Sequence, residues 1–254
     1  MKIQLISSLL STQVLEGIRS RTGQYPAYAV QKFYRVLAEG FVKNGVSVEV
    51  VSNPPAFAST DKFVKFVSDT ENGITYKYIP FINKSIFRHL SLFLNGFWAC
   101  FKFGHSKLED KAIICDVLCY STCMGAIIAA KLTGTKIVGL VTDIPWLVDK
   151  DGVISAKMRM LHGFQKWYIH KYSHYIFLTE QMNEPINIKY RPYLVIEGFA
   201  NIDMEKMDNP LTEKEAPKQI MYAGFLQAKY GLKMLVDGFM SLKDLDAKLV
   251  IYGT

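Results

Sequence analysis

Cysteine is sparse in this sequence of 254 residues, with Cys100, Cys115, Cys119 and Cys123 its only four. So few cannot staple a chain of this length into a disulfide framework, and they read as reduced thiols of a cytosolic protein. Long uncharged apolar runs are missing as well. The most apolar helical stretch, SIFRHLSLFLNGFWACFKF from Ser85 to Phe103, is broken by Arg88, His89 and Lys102, which argues against a membrane span. The opening MKIQLISSLL has one Lys and a short apolar run but no small-residue cleavage site, so it reads as a first buried strand rather than a leader. No G-x-G-x-x-G follows a strand, and G-x-x-x-x-G-K-[ST], H-E-x-x-H and G-x-S-x-G do not occur. Dinucleotide-dependent dehydrogenase, P-loop and α/β-hydrolase chemistries are thereby disfavoured. Low-complexity tracts and fixed-period repeats are also absent, so neither disorder nor a repeat array is expected.

What is present is apolar and basic. Half of the residues are hydrophobic and 13% aromatic, enough for a sizeable core. The length exceeds one average domain and suggests two, or one and part of another. Lys and Arg number 30 against 23 Asp and Glu, a formal charge of +7. Such a balance favours anionic contacts, among them nucleotide phosphates or an acidic membrane surface. Nucleic acid is not expected as a partner, because the basic residues are dispersed and no recognition motif appears.

Short runs rich in Val, Ile and Tyr alternate with segments of helical period, the pattern of βαβ units around a parallel sheet. Strands are expected at Lys2–Ser7, Val46–Ser52, Ile74–Pro80, Ala112–Tyr120, Lys136–Thr142, Tyr175–Thr179 and Leu194–Glu197. Helices are expected near Ala27–Lys43, Ser85–Lys107, Met124–Leu132 and Ile154–Tyr172. Gly45 and Gly134 mark helix stops, where a left-handed residue is needed. From Asn201 to Gln219, NIDMEKMDNPLTEKEAPKQ is charged, holds two prolines and loses its apolar period. Residues 201–219 therefore read as a linker between a domain over 1–200 and a restart over 220–254. The expectation is that the chain stops inside this second domain. A lone βαβ unit leaves its sheet uncovered and is not expected to be stable by itself.

In open parallel sheets, ligands bind at the carboxyl ends of strands, where Gly turns and helix N-termini face anions. Four segments are expected there: GIRSRTGQYP with Gly17, Arg19, Arg21 and Gly23; TDIPW from Thr142; TEQM at Thr179; and GFLQAKYG from Gly224. Asp143 is either a group that orients a sugar hydroxyl or acceptor, or a turn residue bonded to its own backbone. Three further features have plainer explanations. His162, Lys166, His170 and His174 recur at four-residue intervals and read as a solvated basic helix face rather than a metal site. Cys115 and Cys119 fall on one face of a strand-like run and read as buried thiols. The helix from Ser85, with Phe87, Leu90, Leu94, Phe97, Trp98 and Phe101, reads as core against the sheet, with an interfacial membrane contact as the alternative.

The segment IMYAGFLQAKYGLKMLVDGFMSLKDLDAKLVIYG, with KYSHYIFLTEQM and YLVIEGFANID before it, resembles the family 4 glycosyltransferases. The resemblance spans almost the whole chain. It implies an α/β fold of GT-B type: an N-terminal Rossmann-like parallel-sheet domain on the acceptor side, plus the first βαβ unit of a second Rossmann-like domain that binds the nucleotide sugar. The implied activity is that of a retaining glycosyltransferase, moving a sugar from a nucleotide-sugar donor to a glycan or lipid-linked acceptor in polysaccharide or glycolipid biosynthesis. The donor is a co-substrate, so no cofactor is implied, and no metal. The implied setting is cytoplasmic, peripheral at the inner face of the plasma membrane. By the same resemblance Gly224 and Lys229 contact the donor, and Arg19, Arg21 and Gly23 contact the acceptor or phosphates. Thr142-Asp143 stand where many members carry a sugar-facing His. Phe225 and Tyr230 stand where the family often has Arg and Lys, and the family's paired glutamates would lie beyond Thr254. The rival from another class is a non-catalytic nucleotide- or polyanion-binding α/β module that uses the basic surface alone.

Overall fold

The computed structural model describes residues 1–148, 155–200, 218–224, 226, 230–242 and 246–253. It divides into two compact units, Met1–Ala200 and Asn201–Thr254.

The first unit begins with β1 (Lys2–Ser7), α1 (Thr12–Thr22), α2 (Tyr28–Lys43) and β2 (Ser47–Ser52). Four short strands follow: β3 (Phe63–Val64), β4 (Asp69–Glu71), β5 (Ile74–Tyr78) and β6 (Phe81–Ile82). Next come α3 (Ser85–Gly104), β7 (Lys111–Asp116), α4 (Tyr120–Thr133), β8 (Lys136–Val141), α5 (Pro145–Val148) and α6 (Ala156–Ile169). The unit closes with β9 (His174–Phe177), α7 (Asn183–Ile186) and β10 (Tyr193–Val195). Eight strands form one sheet in the order β10-β9-β8-β7-β1-β2-β5-β4, parallel except for β4, which runs antiparallel to β5. This is an α/β architecture, as expected from the alternation of strand and helix periods.

Two apolar layers sandwich that sheet, as an all-parallel centre requires. One gathers Leu5, Val50, Ile74 and Leu140 with the α1 and α2 residues Ile18, Tyr34 and Leu37. The other gathers Ile6, Val51, Ile113 and Val141 with Cys100, Cys123, Tyr168 and Phe177. Gly45 and Gly134 take positive φ just after α2 and α4, which is why those helices stop there.

Several expectations need correction. GIRSRTGQYP is not a strand-end loop: Gly17, Arg19 and Arg21 lie inside α1, and Gly23 is its left-handed C-cap. The missed start signal was Ser11, whose side chain accepts from the Val14 N–H as an N-cap. Strand β7 ends at Asp116, so Cys119 caps α4 instead of sharing a strand face with Cys115; all four thiols are nonetheless buried and free. The histidine series does not form one solvated face. His162 is buried in α6, His170 ends that helix with Nδ1 hydrogen-bonded to the Ile186 carbonyl, and His174 begins β9.

Helix α3 turns only part of its expected stripe inward: Phe97 and Phe101 pack against the core, and the rest does not. Its Gly96 and Gly104 approach Thr122 and Thr133 of α4, while Gly125 of α4 sits against the Phe93 and Phe97 backbone. That contact leaves Ile86, Phe87, Leu90, Leu94 and Trp98 exposed. An apolar run on every side of a helix does not say which side is covered. No helix among the described residues is long and apolar enough to cross a membrane.

In the second unit, β11 (Lys218–Ala223), α8 (Leu232–Ser241) and β12 (Ala247–Tyr252) form a single parallel βαβ unit. Gly231 takes positive φ at the start of α8.

Candidate functional site

Strand β1 pairs with β2 on one side and β7 on the other, so chain direction across the sheet reverses between β1 and β7. The crevice outside the carboxyl ends of two such strands is where open α/β sheets bind ligands. Here the strands end at Ser7 and Asp116, flanked by Ser52 of β2 and Val141 of β8.

Asp116 is the chemical centre of that edge. It is 3% exposed. One carboxylate oxygen accepts the Leu118 N–H at 3.0 Å, and the other faces the Cys119 thiol at 3.9 Å. Burial pushes its carboxyl up to about 6, against the pull of Leu118, Tyr34 and Cys119, and the charge of Asp143 adds to the rise. A carboxyl in that range gains and loses a proton near neutrality, the condition for general acid–base work. The Tyr34 hydroxyl lies against Asp116, and at the end of β2 Ser52 Oγ and Asn53 Oδ1 are buried without a hydrogen-bond partner. Burial, and then Asp116, hold the Tyr34 phenol well above its ordinary value. Orphaned polar atoms are costly in a finished core, and two of them at a strand end fit a place where a polar ligand completes the bonding.

Asp143 follows β8 by two residues, and its side chain is exposed. Partial burial alone raises its carboxyl. The structure thus brings Asp143 within electrostatic reach of Asp116. Among the described residues it makes no hydrogen bond of the turn type to its own backbone. Sequence reasoning missed Asp116; the signal was a single carboxylate closing the apolar run AIICD.

The basic residues of α1 are not drawn into this cluster. Arg19 lies 3.7 Å from Glu16 on the exposed helix surface, and Arg21 borders a shallow groove with Gly17, Phe66 and Asp69. No described interaction joins either of them, or Gly23, to Asp116 or Asp143. The N-terminus of α1, the usual anion seat after a first strand, is filled by the chain itself. Glu71 accepts the Thr12 N–H at 2.8 Å and pairs with Arg35 at 3.1 Å, while the Asp69 carboxylate accepts from Ser11 Oγ at 2.5 Å.

In the second unit Gly224 directly follows β11, donating its N–H to the Tyr252 carbonyl at 3.0 Å. A Cβ on it would come 2.9 Å from the Tyr222 hydroxyl. Lys229 and Phe225 lie outside the described residues. Among the described residues no group of three His, Cys, Asp or Glu is placed to hold a metal ion.

No family model and no curated protein matches the chain in sequence. Among solved structures, it is similar to TcCGT1 in complex with UDP, at 13% identity and a TM-score of 0.43, covering 92% of this chain and 61% of that one. It is also similar to MurG of Acinetobacter baumannii, at 8% identity and a TM-score of 0.43, covering 100% of this chain and 67% of that one. These values are too low for chemistry to be carried across.

Proposed function

We propose that the chain serves glycosyl transfer, with the first unit on the acceptor side, and that the transfer is of the retaining kind implied by the family 4 resemblance. The observation that supports this best is the carboxylate pair at the switch-point crevice, buried Asp116 within electrostatic reach of exposed Asp143, with the Tyr34 hydroxyl and Cys119 thiol against Asp116. A sugar or lipid-linked acceptor is dense in hydroxyls that both donate and accept, which suits a carboxylate at a strand end. Asp143 is the group that meets the acceptor hydroxyl. Asp116 is a positioning residue, whose charge and proton set the field at Asp143.

The donor is a nucleotide sugar, held through the Gly224 turn and Lys229. Basic groups and N–H donors neutralise the departing diphosphate without a metal. Contact with a lipid-linked acceptor at a membrane is the role we assign to the exposed stripe of α3, which begins beside Lys84 and is followed by Lys102. On this reading the protein works at the cytoplasmic face of an anionic membrane.

The test is binding of glycan and lipid-linked acceptors, the latter in acidic and in neutral vesicles, by the wild type, Asp143→Asn and Asp116→Asn. Acceptor binding should weaken about tenfold or more in Asp143→Asn, the loss expected when a charge-assisted bond is removed. In Asp116→Asn the pH dependence of binding should flatten. Flotation should favour acidic vesicles and fall with salt. If all three proteins bound polyanions alike and no acceptor at all, the non-catalytic polyanion-binding module would replace this function. Equal flotation with both vesicles would remove the electrostatic contact.

A further inference from the structure

A second constellation lies on the face of β1, β2 and β5 that the last turns of α3 only partly cover. It is a cavity of about 460 Å3, a volume typical of small-molecule sites. Its lining includes Lys2, Glu49, Lys77, Trp98, Lys102 and Phe103. None of these belongs to the carboxyl-edge cluster around Asp116.

Glu49 organises the polar side. Its side chain is 8% exposed, and its Oε2 lies 3.4 Å from Lys2 Nζ and 3.0 Å from Lys77 Nζ. Its Oε1 accepts from Gln4 Nε2 at 2.9 Å. Burial pushes this carboxyl up, but hydrogen bonds from Gln4 and Lys77 and the charges of Lys77 and Lys2 outweigh it, leaving the group below its ordinary value. Glu49 is therefore an anion across the neutral range and holds two ammonium groups in fixed places. Lys102, on α3, has no ion-pair partner among the described residues. Three ammonium groups against one carboxylate leave two positive charges at the cavity.

The rest of the lining is of another kind. Trp98 and Phe103 bring aromatic surface, and Ile79 and Pro80 bring aliphatic surface. Asn95 gives its Nδ2 to the Pro80 carbonyl at 2.9 Å, so its Oδ1 remains to accept from a ligand. A phosphate monoester carries about −1.5 to −2 charges at neutral pH, the complement of this excess. Its organic portion would lie against the aromatic side.

From the fixed lysine pair, the unpaired Lys102 and the apolar wall opposite them, we infer that this cavity binds a phosphomonoester, with the phosphate among Lys2, Lys77 and Lys102 and the esterified group against Trp98. Monoesters of sugars and of lipids share this chemistry. The inference does not rest on glycosyl transfer, since it uses neither Asp116 nor Asp143 and nothing of the second unit; it shares only Trp98 and Lys102 with the α3 surface assigned to membrane contact.

The experiment is a titration of the full chain, followed by calorimetry and by the Trp fluorescence. The probes are inorganic phosphate, a hexose monophosphate, a short-chain phosphatidic acid and the matching short-chain phosphatidylcholine. Wild type should bind at least one of the first three saturably in the millimolar range or tighter, and the zwitterion not at all. Preference for the hexose monophosphate assigns a sugar ester, preference for phosphatidic acid a lipid headgroup, and equal binding of inorganic phosphate a site for the phosphate group alone. Lys102→Met should weaken binding about tenfold, as for loss of one charge-assisted bond, and Lys77→Met should do the same. Because Lys77→Met loosens the Glu49 cluster, Lys102→Met is the variant that keeps the test fair if the other fails to fold. Trp98→Ala should abolish the fluorescence change and reduce the preference for an esterified ligand. No saturable binding of any phosphate probe, or equal binding by wild type and Lys102→Met, would overturn the proposal.

Discussion

Strand β8 of the first unit, KIVGLV, and strand β11 of the second, KQIMYA, are close in pattern and opposite in burial. Each opens with Lys, continues into apolar residues and pairs in parallel with a neighbour. In β8 every residue from Ile137 onward is buried or half-buried, because β7 and β9 flank it and helical layers cover both faces. In β11 only Tyr222 is even half-buried, and Met221 is 68% exposed. Helix α8 likewise has no buried residue. The same local grammar thus yields a packed strand in one place and an uncovered one in another. Backbone pairing makes a strand, and only the layers above and below make it stable.

The largest consequence is for local opening. Amides of β7 and β8 should exchange only on near-global unfolding, whereas those of β11 and β12 should exchange through an opening several kcal/mol easier, roughly a thousandfold or more faster. Hydrogen exchange of the full chain, resolved by peptide, measures both regions at once. Protection of Ile220–Tyr222 equal to that of Ile137–Val141 would break the comparison.

A buried and an exposed carboxylate sharpen it further. Asp116 has its carboxyl raised by burial from an ordinary 3.8 to about 6, so the native state favours the protonated form. Its favourable contribution is complete below the ordinary value and is lost as pH rises through about 6. Between pH 4 and pH 7, wild type should therefore lose about 2–3 kcal/mol relative to Asp116→Asn. In the second unit Asp237 pairs with Lys233 on the exposed surface of α8, and Asp237→Asn should track wild type within about 0.5 kcal/mol. Urea unfolding across that range supplies the curves. Parallel curves for wild type and Asp116→Asn would mean that water reaches the carboxylate.

Much of the first unit was legible because its strands are continuous apolar runs with few alternatives. Lys2–Ser7 falls on the residues expected, and Gly45 and Gly134 ended their helices for a reason visible in the sequence. Helix α1 was not legible: its apolar period is weak, and its cap, Ser11, is completed by Tyr78 and Asp69, far along the chain. The outward face of α3 was hidden for a related reason, since its partner was fixed by Gly96, Gly104 and Gly125, whose lack of a side chain leaves no periodic signal. Within the site, Asp143 was visible as a strand-end carboxylate. Asp116 was not, because its chemistry comes from burial in the assembled fold, opposed by a hydrogen bond from Tyr34 of α2, far along the chain. The charge excess around Glu49 likewise depends on Lys2, Lys77 and Lys102 meeting in space.

The smallest expected effect uses two glycines in helices and turns on what each would touch. A Cβ at Gly125 of α4 would lie 2.3 Å from the Phe93 carbonyl oxygen and 2.6 Å from the Phe97 nitrogen, both backbone atoms of α3. Neither can swing aside as a side chain could, so Gly125→Ala must push the two helices apart and should cost about 1–3 kcal/mol, the usual range for overpacking. A Cβ at Gly238 of α8 would meet nothing within 4 Å. There the substitution only removes backbone freedom from the unfolded chain, and Gly238→Ala should stabilise α8 by about 0.5–1 kcal/mol. The opposite signs matter more than the sizes. Thermal unfolding followed by circular dichroism reads the first change, and exchange rates of the α8 amides read the second. Loss of protection in α8 on Gly238→Ala would mean that this helix is already held against a neighbour, and the contrast between the two units would fail at the residue where it is simplest to see.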